Sequence, residues 1–137
     1  MYLQRIYLNN EGRIARLPYF GYSLALTVPY MVVTYLLASI LGVMGSIVAL
    51  ILYAAIVYPY YCLMAKRLQD FNQPGKWAVA VMGVGLLAAV LQFVEALQGI
   101  GMAISAVQAL VGLAILLIPG TNGNNDYGAQ PQRAVLV

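Results

Sequence analysis

Four long stretches of this chain carry no charged residue: Tyr19–Leu41, Gly45–Ala65, Trp77–Val94 and Ile100–Ile118. Nothing else in the sequence narrows the fold as much. A helix that crosses a hydrocarbon core about 30 Å thick needs about 20 mostly apolar residues. At 1.5 Å per residue, even the shortest stretch reaches about 27 Å. Composition points the same way, with 63% of the 137 residues apolar and 8% charged. Soluble domains are about 25% charged, and so few charges do not cover a water-soluble ball of this size. The expected fold class is therefore an all-α integral membrane protein with four transmembrane helices, spans 19–41, 45–65, 77–94 and 100–118.

The links between these spans are short. Gly42-Val43-Met44 joins the first two, Glu95–Gly99 the last two, and Lys66–Lys76 forms the central loop. Short links make sequence neighbours antiparallel, so the spans pair as two hairpins within one membrane domain over residues 1–137. Arg5, Arg13 and Arg16 precede the first span, Lys66, Arg67 and Lys76 fill loop 66–76, and Arg133 lies in tail 119–137. All seven basic residues then fall on one side, and the opposite side carries only Glu95. Because basic residues mark the cytoplasmic face, both termini are expected to be cytoplasmic. The first span is longer than a signal-peptide core of about 7–15 residues, so it is read as a retained span. Met1–Leu8, with Tyr2, Leu3, Ile6 and Tyr7 at helical spacing, is read as a short amphipathic helix at the interface.

The same residues limit the chemistry. Histidine is absent and Cys62 is the lone cysteine, which excludes His-based triads, His-ligated metals and an internal disulfide. Glu11, Asp70, Glu95 and Asp126 are the only carboxylates, and none has a second acid nearby in sequence. No metal or other cofactor is implied, and no catalytic residue is assigned. A net charge of +3 without a nucleic-acid-binding motif speaks against nucleic acid as a partner.

Within the spans, Pro29 and Pro59 are read as packing kinks, since membrane helices tolerate proline. Gly85 and Ala89 in the third span, and Gly101, Ser105 and Ala109 in the fourth, are small residues at four-residue spacing. Such faces let helix backbones approach closely, within one copy or between copies. Gln92 and Gln108 are polar groups inside apolar helices. Their first reading is interhelical hydrogen bonding worth about 1 kcal/mol, and their second is the polar lining of a small pore. Tyr30, Tyr35 and Tyr53 lie deep in their spans and are expected to find partners in the bundle.

Three motifs stand at the basic face. They are Gly12-Arg13-Ile14-Ala15-Arg16-Leu17-Pro18-Tyr19-Phe20, then Lys66-Arg67-Leu68-Gln69-Asp70 followed by Gly75-Lys76-Trp77, and last Pro119-Gly120-Thr121-Asn122-Gly123-Asn124-Asn125-Asp126-Tyr127-Gly128. In all three, and in their order, the chain resembles the DUF805 family of small bacterial inner-membrane proteins. Lys66, Gln69 and Lys76 depart from that family's Arg, His and Trp, so no role needing a titrating imidazole is carried over. What the resemblance implies is architecture and location in the bacterial inner membrane. It supplies no activity.

The residues themselves suggest a cytoplasmic polar cap, or an anion or lipid contact, built from Arg13, Arg16, Arg67, Asp70, Asn125 and Tyr127. Arg13 and Arg16 are three apart and would share a helix face, while Arg67 and Asp70 are placed to pair. The expected function is that of a non-enzymatic membrane protein acting through helix packing and this face. Its partners are the bilayer, anionic lipids, further copies of itself, or other membrane subunits. A small oligomeric channel or transporter is the alternative, and an anionic-lipid-binding protein a second one.

Overall fold

A computed structural model of the chain describes residues 2–92 and 94–131, and these are mostly helical with no strand among them. The helices are α1 (Tyr2–Tyr7), α2 (Arg16–Leu41), α3 (Val43–Asp70), α4 (Trp77–Gln92) and α5 (Gln98–Leu117), with a 3₁₀ turn at Glu95–Leu97. Three helical stretches, Arg16–Leu41, Val43–Asp70 and Glu95–Leu117, are long and apolar enough to cross a membrane. The fourth, α4, has 16 residues, or about 24 Å. Among the described residues of the expected span 77–94, residues 77–92 are helical and Val94, next to the charged Glu95, is not.

Two other boundaries differ from the sequence expectation. The first link is one residue rather than three. Gly42 adopts φ 56° and its N–H bonds to the Ala38 carbonyl at 3.0 Å, so α3 starts at once. Glycine makes that sharp reversal cheap. Gly45 then lies against the Leu37 backbone carbonyl, where a Cβ has no room. The second difference is at the far end of α3, which continues through Lys66 to Asp70 instead of ending at Ala65. It stops in a Schellman motif: Asn72, at φ 61°, donates to Gln69 O at 3.1 Å, and Gln73 donates to Leu68 O at 2.9 Å. The expected loop 66–76 therefore shrinks to 71–76. At 28 residues, α3 is about 42 Å long, more than the thickness of a hydrocarbon core of about 30 Å.

Packing is uneven along the molecule. α2 lies chiefly on α3 and α4 on α5. The two hairpins meet at Ala65, Leu68, Ala78 and Ile115, with Tyr61, Met64 and Val111 packed around them. A second cluster joins Ile6 of α1, Ile14 and Leu63, so α1 docks on α3. Lys66 fastens it, donating from Nζ to the carbonyls of Arg5 and, at 3.0 Å, Ile6. These carbonyls lie in the last turn of α1, where a cation is favoured. Away from this end apolar side chains face outward: α2 has no buried residue.

The small-residue positions do not form one continuous buried face. Gly101 is buried, Ser105 half-buried and Ala109 exposed. Gly85 lies next to the Gln108 amide, and Gln108 Nε2 donates across the hairpin to the Val81 carbonyl. The side chains of Ala89 and Gln92 lie outside the described residues. Of the deep tyrosines, Tyr30 donates to Ala49 O at 3.4 Å and its ring lies 6.0 Å from that of Tyr53. Tyr35 instead is 74% exposed, because its helix position turns it away from α3.

Candidate functional site: a buried arginine–aspartate clamp

The three sequence motifs converge on Asp70, at the end of α3. Arg13 does not lie on a helix. It sits in the segment between α1 and α2, just after Gly12 at φ 101°, so it shares no helical face with Arg16, which opens α2. This irregular position lets Arg13 reach inward until its side chain is 1% exposed. Its Nε donates to Asp70 Oδ1 at 3.2 Å, and its Nη2 donates to the Thr121 carbonyl at 2.6 Å and the Asp70 carbonyl at 3.3 Å. Nη1 donates to the carbonyls of Gly123 at 2.6 Å and Gly128 at 3.3 Å. One side chain thus ties the start of the chain to α3 and to the segment after α5.

Arg67 completes the clamp from one turn back on α3, fully buried. Its Nη1 donates to Asp70 Oδ2 at 2.5 Å, and Nε to Ile115 O at 2.9 Å. Nη2 reaches Leu116 O at 3.3 Å and the Ile118 carbonyl. These are the open carbonyls at the C-terminus of α5, the negative end of its dipole. The Phe71 ring lies 5.6 Å from the guanidinium carbon, within cation–π range. Burial lowers the Arg67 pKa from its ordinary value while the Asp70 carboxylate works to raise it; the group stays charged.

The segment after α5 is fixed by Asp70 and Asn125. The Asp70 carbonyl accepts from the Thr121 N–H at 2.8 Å and from its hydroxyl at 3.1 Å. Asn125 Nδ2 donates to Gln69 O at 2.8 Å and Thr121 Oγ1 at 2.9 Å, and its Oδ1 accepts the Tyr127 N–H at 2.9 Å. Asn125 and Gly128 exchange backbone bonds at 3.1 Å, closing a turn. Tyr127 takes part through its backbone. Arg16 stands apart from Asp70: it is exposed and donates from Nη1 to Leu117 O at 3.2 Å.

Some contributors carry no signal as site residues in the sequence. Gly120 lies so close to the Asp70 carboxylate that a Cβ cannot be accommodated. Thr121 and Gly120 stand inside a motif, which was the only available hint. The carbonyls of Ile115, Leu116 and Ile118 have none, since any residue supplies one. Chemically, both carboxylate oxygens and the backbone carbonyl of Asp70 are engaged, which suits a clamp better than proton transfer. Among the described residues no three of His, Cys, Asp and Glu gather as a metal site.

Fold and clamp together define a class: a helical protein with apolar helices long enough to cross a membrane, tied at one end by a buried ionic cluster. The family model described as "Protein of unknown function (DUF805)" matches residues 7–129, and the chain belongs to that family. No curated protein and no solved structure matches it.

Proposed function

We propose that the chain is a four-span protein of the bacterial inner membrane with both termini, the central loop and the clamp on the cytoplasmic side. It acts without catalysis, as a self-assembling component or as an accessory subunit of a membrane complex. The observation that carries this reading is the contrast between its two ends. At one end Arg13, Arg67 and Asp70 are nearly or fully buried and bound into the backbone. Elsewhere the helices present apolar side chains outward, α2 along its whole length. That surface suits lipid and neighbouring helices, and the clamp keeps the presenting hairpins in one register. The single-sided placement of Lys and Arg supports the orientation.

Native mass spectrometry of tagged protein, gently extracted from its own membrane, tests the role. A fixed multiple of the chain mass alone supports self-assembly. A reproducible complex with foreign subunits supports the accessory role, and a monomer without partners refutes both. The channel reading needs Gln108 to line a path, whereas its amide is spent on the Val81 carbonyl.

A further inference from the structure

Beside the clamp, between the start of α2 and the segment after α5, lies a cavity of about 540 Å³. This falls within the range of about 300–1,000 Å³ typical of small-ligand sites. Its wall includes Arg13, Arg16, Leu17, Asp70, Thr121 and Asn122. Its wall carries two guanidinium groups, Arg13 and Arg16, and one carboxylate, Asp70; Arg67 binds that carboxylate from outside the wall, so the four groups together hold a surplus of two positive charges.

The three arginines are not equivalent. Arg13 and Arg67 have every guanidinium nitrogen committed to Asp70 or to backbone carbonyls. Asp70 is likewise held by both, so its charge on the cavity wall is already neutralised. Arg16 is exposed, and its one hydrogen bond to described residues is from Nη1 to the Leu117 carbonyl. The same wall holds the first turn of α2, where Ala15 provides no side-chain cap and the N–H groups of Arg16 and Leu17 add to the positive field. Away from the cavity the flanking helices are apolar on their outer faces, with Leu24 and Val28 of α2 and Leu110, Leu113 and Leu117 of α5 exposed.

We infer that this cavity binds a phosphate group through Arg16, either the headgroup phosphate of an anionic phospholipid or a soluble phosphate. The clamp residues shape the wall, and Arg16 supplies the free charge. Clamping and ligand binding thus fall to different arginines of the same motif. The inference does not depend on whether the chain self-assembles.

The test uses the purified full chain in detergent micelles and reads bound ligand by native mass spectrometry, with phosphatidylglycerol in one arm and inorganic phosphate in the other. Three variants are compared with the parent: Arg16→Gln, Asn122→Asp, which places a carboxylate on the wall, and Lys76→Gln. Lys76 is exposed and lies outside the cavity, so its loss changes net charge without touching the site. Arg16→Gln and Asn122→Asp should each lower retention about fivefold, the factor that corresponds to one basic residue at an anionic surface, and Lys76→Gln should leave it unchanged. The arm in which this pattern holds identifies the source of the phosphate. Equal losses for Arg16→Gln and Lys76→Gln, unchanged retention in Arg16→Gln, or no binding of either ligand by the parent chain overturns the inference.

Discussion

Asp70→Asn is the most informative single change, because it removes one charge and almost no volume. In the parent chain, Asp70 faces Arg13 at 3.1 Å and Arg67 at 2.5 Å, with all three side chains at most 5% exposed. At an effective dielectric of about 20, those contacts are worth about 5 and about 7 kcal/mol before desolvation. Desolvation offsets most of that gain, but deleting one partner of a buried pair still costs about 3–5 kcal/mol, since the other charge is left uncompensated. Here two guanidinium groups are left, although each keeps its bonds to backbone carbonyls, which offset part of the stranded charge. The expected loss is therefore about 3 kcal/mol, a large share of a total stability of about 5–15 kcal/mol. Reversible unfolding in mixed detergent–SDS micelles measures it. Adding Arg13→Gln separates charge from shape: once Arg13 is gone, Asp70→Asn strands one cation instead of two. The double-mutant cycle should show a coupling of at least about 1 kcal/mol. A loss under about 1 kcal/mol, or a cycle that is additive, would falsify the argument that the clamp holds this end together.

Four further outcomes follow from the same geometry. Gly120→Ala puts a Cβ onto the Asp70 carboxylate and should cost about 1–3 kcal/mol, as overpacking does; melting curves in detergent check this. Gly45→Ala meets the Leu37 backbone carbonyl, which cannot swing aside as a side chain can, so disulfide cross-linking between cysteines placed on α2 and α3 should fall. Gln108→Leu removes the bond to Val81 and should cost about 1 kcal/mol while leaving liposomes as tight as before; a changed leak would revive the channel reading. Lys66→Met removes the tie to the last turn of α1, and hydrogen exchange in Tyr2–Tyr7 should rise while that of α3 stays the same.

The helices were legible because an uncharged run of this length has few other uses. Their ends were less so. A span drawn to the first charge stops at Ala65, yet α3 continues because Arg67 and Asp70 pair one turn apart and the helix ends only where Asn72 can turn left-handed. The clamp was legible as a group of motif residues on one face, but not as an arrangement. Arg13 works from irregular backbone rather than from a helix face. Four of its five hydrogen bonds, and three of the four made by Arg67, go to backbone carbonyls that no residue type announces. Arg16, grouped with Arg13 by spacing, turns out to stand apart from Asp70 because helix α2 begins between them.

The placement of the clamp follows from how membrane helices associate. Between lipid-facing helices there is no hydrophobic driving force, so packing and a few polar contacts must select one arrangement. In this chain the hairpins meet through a small apolar cluster at Ala65, Leu68, Ala78 and Ile115. Directly beside it, Arg67 binds the carbonyls of Ile115, Leu116 and Ile118, so the same helix ends are joined by apolar and ionic contacts at once. Within the apolar spans such ions would be costly; at the end of α3, where Lys66, Arg67 and Asp70 close the uncharged run, they are buried by protein and bonded to its backbone. The register of one hairpin against the other is therefore set from that end, through Asp70. Loosening Asp70 should change the angle between α2–α3 and α4–α5 before it disturbs the pairing inside either hairpin. In a series of Asp70 variants, spin-label distances between α2 and α4 should broaden while those within α2–α3 stay sharp. If both broaden together, the clamp and the hairpins form one cooperative unit and this hierarchy is wrong.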